Sequence, residues 1–163
     1  MQESRHAGVV AFHEQRVLLV RERLRHWGGP YWNIPSGGVE RHETPVAGAV
    51  RELAEESGVR VAESDLRLFG TTSTTSGEHK SLAWNFTAEV VDPTLTVADP
   101  DGLVLEAAWF AREDAVRALG NLPYRPLAEP VLDFLTGRTA TGVTHWMYAS
   151  PEADPVKVGA LGR

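Results

Sequence analysis

The chain has 163 residues, 42% of them hydrophobic, and a formal charge of −6, which suits one domain with a buried core and argues against general adhesion to nucleic acid or anionic membrane. No apolar run is long enough to cross a bilayer. Cysteine is absent, which excludes thiolate zinc clusters and cysteine nucleophiles, and no basic-then-apolar leader opens the chain, so a cytoplasmic protein is expected.

In chain order, Ala7–Phe12 and Arg16–Val20 have strand composition and flank the polar turn His13-Glu14-Gln15, predicting an opening hairpin. Residues 21–31, with Gly28-Gly29-Pro30, are expected to form a loop from which Arg21, Arg23 and Arg25 could reach substrate phosphates. A charged strand end competes as the explanation of those arginines. Trp27, Tyr31 and Trp32 are candidates to stack on a base, with core packing as the alternative for Trp32.

Thr44-Pro45 reads as a helix start, because a hydroxyl can accept from an orphan N–H and proline at the first helical position has no N–H to lose. Gly58 supplies the stop. At about 100° per residue, Glu52, Glu55 and Glu56 share an arc of about 100°, and Val46, Ala49, Val50 and Leu53 share the adjacent one. One stripe packs on the core; the next concentrates negative charge. Carboxylates so close repel one another, and a hard divalent cation with a preference for oxygen relieves that repulsion. Arg51 stands four residues before Glu55 and can pair with it, or with Glu43 across the preceding loop. Glu40 in the same loop is an accessory candidate.

Leu66–Thr74 and Ser81–Val91 flank a turn at Ser76-Gly77-Glu78 and predict a second hairpin. Asp99-Pro100-Asp101-Gly102 is a loop, Leu103–Phe110 a strand, and Glu113–Leu119 and Tyr124–Leu135 are helical, with Pro126 and Pro130 leaving the start of the last helix open. Glu106 lies on the strand with its facing undetermined, and is a candidate additional metal ligand or base. The six histidines are scattered without a serine–acid arrangement and receive no catalytic role. Mixed strands with one central helix and terminal helices predict an α/β/α sandwich over residues 1–137. Residues 138–163 are expected to be a partly ordered tail, or to pack through Val143–Tyr148 on a partner subunit in a homodimer.

From Gly37 to Val59 the chain reads G-x5-E-x7-R-E-U-x-E-E-x-G-U, where U is apolar, with every fixed position filled. The seven polar or glycine positions would coincide by accident in roughly one chain in 10^6 of this length. A merely solvated acidic helix does not require Gly37, Glu43 or Gly58 at their places. The segment resembles the Nudix box, the signature of the Nudix hydrolases. The resemblance implies a Nudix-type sandwich with a mixed β-sheet and a magnesium or manganese ion held by Glu52, Glu55 and Glu56 with the backbone carbonyl of Gly37. It further implies Glu55 or Glu56 as the base, and Arg51 with Glu43 as structural support.

The reaction so implied is metal-dependent hydrolysis of a phosphoanhydride in a nucleoside diphosphate linked to another group, a small-molecule substrate. Family members acting on ADP-ribose often carry a proline about fifteen residues beyond the box, and those acting on dinucleoside polyphosphates a tyrosine slightly later. Here no Pro occurs between Val59 and Asp92, and no Tyr between Val59 and Pro123. A MutT-like nucleoside triphosphate pyrophosphohydrolase is the first choice, an ADP-ribose or nucleotide-sugar pyrophosphatase the second. A catalytically silent ligand-sensing module is the alternative from another class, opposed by the complete set of carboxylates.

Overall fold

The computed structural model describes residues 1–139 and 141–159. β1 (Gln2–His13) and β2 (Arg16–Leu24) meet at a two-residue turn in which Glu14 and Gln15 both have positive φ, the geometry that matches strand twist. β1 starts at Gln2 rather than Ala7 because it pairs in parallel along its length with β6 (His79–Glu89). The expected loop at 21–31 is mostly strand: β2 continues to Leu24, and β3 (Gly28–Asn33) returns antiparallel to it. Arg21 and Arg23 alternate with the buried Glu22 and half-buried Leu24, so an extended pattern was hidden under a polar composition.

β1 pairs with β2 only at Phe12 and His13, and the short β4 (Ser36–Gly38) takes the vacated edge at His6–Gly8. α1 (Pro45–Ser57) follows, then the hairpin of β5 (Arg67–Ser76) with β6, then β7 (Val104–Phe110) antiparallel to β2. α2 (Arg112–Leu119) and α3 (Arg125–Leu135) come next. α3 has Pro126 in its first turn, which settles its start. Among the described residues no helix is long and apolar enough to cross a membrane.

Strand alternation divides the core in two. Val10, Phe12, Val17 and Leu19 pack with Ala115, Leu119, Val131 and Leu135 of the α2–α3 layer. Ala7, Val9, Ala11 and Leu18 pack with Ala49 and Leu53 of α1. The sheet therefore lies between helices on both faces, the expected α/β/α sandwich, and each fully buried Val or Leu contributes roughly 1.5–3 kcal/mol. The face a β2 residue takes decides whether it meets the acidic helix.

The C-terminal segment belongs to this sheet. β8 (Thr144–Tyr148) runs parallel to β5, and β9 (Val156–Gly159) closes the edge antiparallel to β8. Trp146 is 1% exposed and lies over Gly70, where a Cβ would stand 2.4 Å from its ring. The Tyr148 hydroxyl donates to Glu129 at 2.6 Å. The strand expected to be a tail or to pack on a partner subunit thus pairs within its own chain, because Gly70 leaves a seat for the Trp146 indole.

Candidate active site

Local chemistry fixes α1. The Thr44 hydroxyl accepts from Ala47 N at 3.2 Å, Pro45 occupies the first turn, and Gly58 ends the helix at φ 79°, its N–H donating to Ala54 O at 2.8 Å. Gly37 on β4 faces this helix at very short range. A Cβ there would fall 2.3 Å from the Glu52 carboxyl carbon, so only glycine lets that carboxylate lie against the strand.

Arg51 is the hub of the acidic face. Its Nε and Nη2 donate to the two oxygens of Glu43 at 2.9 and 2.8 Å, its Nη1 donates to Glu52 at 2.8 Å and Glu55 at 3.2 Å, and Nη2 also reaches the Gly38 carbonyl at 2.8 Å. The Arg51 hydrogen bonds hold the Glu43 carboxyl below the usual carboxylate range, and Glu43 in turn raises the guanidinium. Glu43 also accepts from Glu40 N at 2.9 Å, which ties the loop to the helix. The Glu40 side chain is itself exposed and stands 4.0 Å from Arg51.

Glu56 differs from its neighbours. It lies three residues beyond Leu53, on the margin of the core stripe, and is 5% exposed. Its Oε2 accepts from Ser36 N at 3.0 Å. Burial, with repulsion from Glu22, pushes its carboxyl up to about 10, against the pull of the Ser36 amide. Glu52 is raised by burial and lowered by Arg51, with the net shift upward.

Three residues outside the box join this cluster. Glu22 shares the α1 face with Leu18, is 8% exposed, and is raised to about 7 by burial, against a 2.9 Å hydrogen bond from Asn33 Nδ2. Asp99 adds negative charge that raises Glu22, Glu52 and Glu56. Its carboxylate is anchored by Leu103 N at 2.8 Å and Val104 N at 3.0 Å. Sequence reasoning passed over all three. Continuing the alternation of Leu18 and Val20 by two residues would have placed Glu22; nothing in the sequence marks Asp99 or Asn33.

The remaining candidates fall elsewhere. Glu106 pairs across strands with Arg21, whose Nη2 donates to it at 3.0 Å. Both have the strand parity of Leu19 and Phe110, which pack toward α2 and α3, so the sheet separates Glu106 from the carboxylates of α1. As an additional metal ligand Glu106 is set aside for this reason. Arg21 is engaged by Glu106, while Arg23 and Arg25 are exposed at the end of β2 and in the turn after it, rather than in a substrate loop. Trp32 packs against Phe110 with ring centroids 4.7 Å apart, in the α2–α3 core.

The anionic groups of the cluster are all carboxylates, the set that suits a hard divalent cation, and the desolvated Glu22, Glu52 and Glu56, repelled by one another and by Asp99, are what such a charge relieves. Among the described residues no three His, Cys, Asp or Glu side chains already converge on one point, since Arg51 holds Glu52 and Glu55. The donor chemistry fits a divalent cation once those carboxylates turn from the guanidinium.

A model of the NUDIX domain matches residues 3–131. The chain belongs to the Nudix family. Members of this family generally use a divalent metal. This Nudix chain is 31% identical over 111 residues to a Mycobacterium tuberculosis protein with the provisional name 8-oxo-dGTP diphosphatase 3, a match covering 68% of this chain and 49% of that one. It thus spans about half the length of that relative. It is 29% identical over 125 residues to human diphosphoinositol polyphosphate phosphohydrolase 3-beta, covering 76% of this chain and 73% of that protein. The solved Nudix hydrolase of Nitrosomonas europaea superposes with a TM-score of 0.68 at 22% identity, covering 85% of this chain and 73% of that one, a likeness of fold.

Proposed function

We propose that this Nudix chain hydrolyses a phosphoanhydride bond in a nucleoside diphosphate linked to another group, with nucleoside triphosphates as the first substrate class. The observation that carries the reading is the buried carboxylate cluster of α1, with Glu56 desolvated and oriented by the Ser36 amide at 3.0 Å. Burying that much like charge lowers stability, and a site for a cation and a pyrophosphate gives it a use. The named relatives act, by their names, on a nucleoside triphosphate and on a diphosphorylated inositol, both of which contain phosphoanhydrides.

Glu52, Glu55 and Glu56, with the Gly37 carbonyl, are the groups that would hold magnesium or manganese. When bound, the cation supplies neutralisation of pyrophosphate charge as the leaving oxygen becomes negative. The protein's own part is positional. Arg51 ties Glu43 and the Gly38 carbonyl to α1, and its bonds to Glu52 and Glu55 are the ones a cation would replace. Ser36 N holds Glu56 Oε2, which fixes the orientation of that carboxyl group. Glu55 is the most exposed of the three, at 30%, and that access to solvent supports it as the carboxylate that accepts the attacking water's proton.

The test is product analysis on nucleoside triphosphates, ADP-ribose and nucleotide sugars with magnesium or manganese. A monophosphate plus pyrophosphate from a triphosphate supports the first substrate class; AMP plus ribose 5-phosphate from ADP-ribose moves the assignment to the second. No cleavage in the whole panel by folded protein would refute the hydrolase reading.

A further inference from the structure

The connection between β3 and β4 carries the Ser36 amide that meets Glu56, and its own hydrogen bonds are unusually directed for so short a segment. Asn33 is 1% exposed and makes contacts in three directions. Its Nδ2 donates to Glu22 Oε1 at 2.9 Å and reaches Ser36 Oγ at 3.5 Å, while its Oδ1 accepts from Ile34 N at 2.8 Å. The amide plane is thereby tied to β2 on one side and to the following backbone on the other. Two residues later the chain turns at Pro35, and Ser36 N points at Glu56 Oε2 at 3.0 Å.

The geometry points to Asn33, clamped by Glu22, as a positioning residue that sets the Ser36 amide against Glu56. The part of this that concerns turnover rests on the proposed hydrolase reading; the part that concerns the Ser36 amide does not. Glu22 acts here as a hydrogen-bond acceptor for Asn33. A Gln at position 22 supplies the same acceptor oxygen without the charge, whereas a Leu supplies none. A role for Glu22 as a charged ligand makes the opposite demand, since Gln would then fail as fully as Leu.

A competing account is that strand pairing alone fixes Ser36. Gly8 pairs with Ser36, and Val9 N donates to the Pro35 carbonyl at 3.0 Å. If those contacts suffice, Asn33 is an ordinary buried amide and its loss leaves Ser36 in place.

The experiment is residue-resolved amide hydrogen exchange at Ser36 in the full chain without added metal, for wild type, Asn33→Ala, Glu22→Gln and Glu22→Leu, with thermal unfolding of each. The expected result is faster Ser36 exchange, by about 10-fold or more, in Asn33→Ala and Glu22→Leu, with near wild-type protection restored in Glu22→Gln. Neighbouring β1 amides should keep their rates. If Asn33→Ala is too unstable to study, the Glu22 pair decides alone. On the substrate cleaved by wild type, kcat should fall toward 10²-fold in Glu22→Leu with KM little changed, the scale of a roughly 1 Å misplacement. Unchanged Ser36 exchange in Asn33→Ala or Glu22→Leu overturns the proposal, and so does equal loss of Ser36 protection in Glu22→Gln and Glu22→Leu. Absence of any wild-type turnover sinks the hydrolase reading while leaving the exchange result to decide the positioning role.

Discussion

Replacing Glu56 by Gln should make the metal-free protein more stable at alkaline pH while removing activity. The Glu56 carboxyl is raised from an ordinary 4.5 to about 10, chiefly by burial. A group raised in this way binds its proton more tightly when folded, so its contribution to stability is present below the unfolded value and is lost as pH climbs through the window from 4.5 to about 10. At about 1.4 kcal/mol per pH unit, the loss between pH 5 and pH 8 is on the order of 4 kcal/mol. Gln keeps the oxygen that accepts from Ser36 N and has no proton to lose, so the variant should gain on wild type by about that amount over the same range. Glu22, raised to about 7, adds a further loss of about 2 kcal/mol between pH 5 and pH 7 in both proteins, so the slope must be compared between them and not read from wild type alone. The assay is urea unfolding with a chelator present across that pH range. A stability difference between the two proteins that does not change with pH would falsify the burial argument.

Gly37→Ala should displace the Glu52 carboxylate, which a Cβ would meet at 2.3 Å, and lower turnover by 10-fold or more while leaving the unfolding midpoint nearly unmoved, since a flexible carboxylate yields at little cost. Arg51→Ala should lower stability by about 2 kcal/mol by freeing Glu43 from its paired hydrogen bonds, measured by chemical denaturation; no loss would show the hub to be inert. Truncation after Arg138 removes β8 and β9, uncovers Gly70 and exposes the β5 edge. A loss of at least about 3 kcal/mol in stability is expected, from Trp146 alone. Light scattering on the intact and truncated chains reads separately whether this region also joins two copies.

The box could be read closely from the chain because its determinants are local. Thr44, Pro45 and Gly58 set the ends of α1 by capping, and the helical period alone brings Glu52, Glu55 and Glu56 to one side. What escaped was whatever depended on contacts across the sheet. Glu22 is one turnover of strand alternation beyond Val20, but its meaning comes from α1 lying above it. Glu106 differs from it only in parity, and the pairing with Arg21 decides its face. Trp146 looked like a free aromatic because the Gly70 seat that receives it lies more than seventy residues earlier in the chain. The strands within 21–33 were masked by their own charge, since Arg21, Glu22 and Arg23 resemble loop composition while alternating along β2.

The central claim is that the buried carboxylates of α1 support metal-dependent hydrolysis of a phosphoanhydride. It is tested most directly by following cleavage of the substrate panel in chelated protein, then on addition of magnesium or manganese, for wild type and Glu56→Gln side by side. Cleavage that appears only with metal in wild type, and is lost in a Glu56→Gln protein that remains folded, is the predicted result. Turnover that persists in the variant, or that ignores the metal, would contradict it.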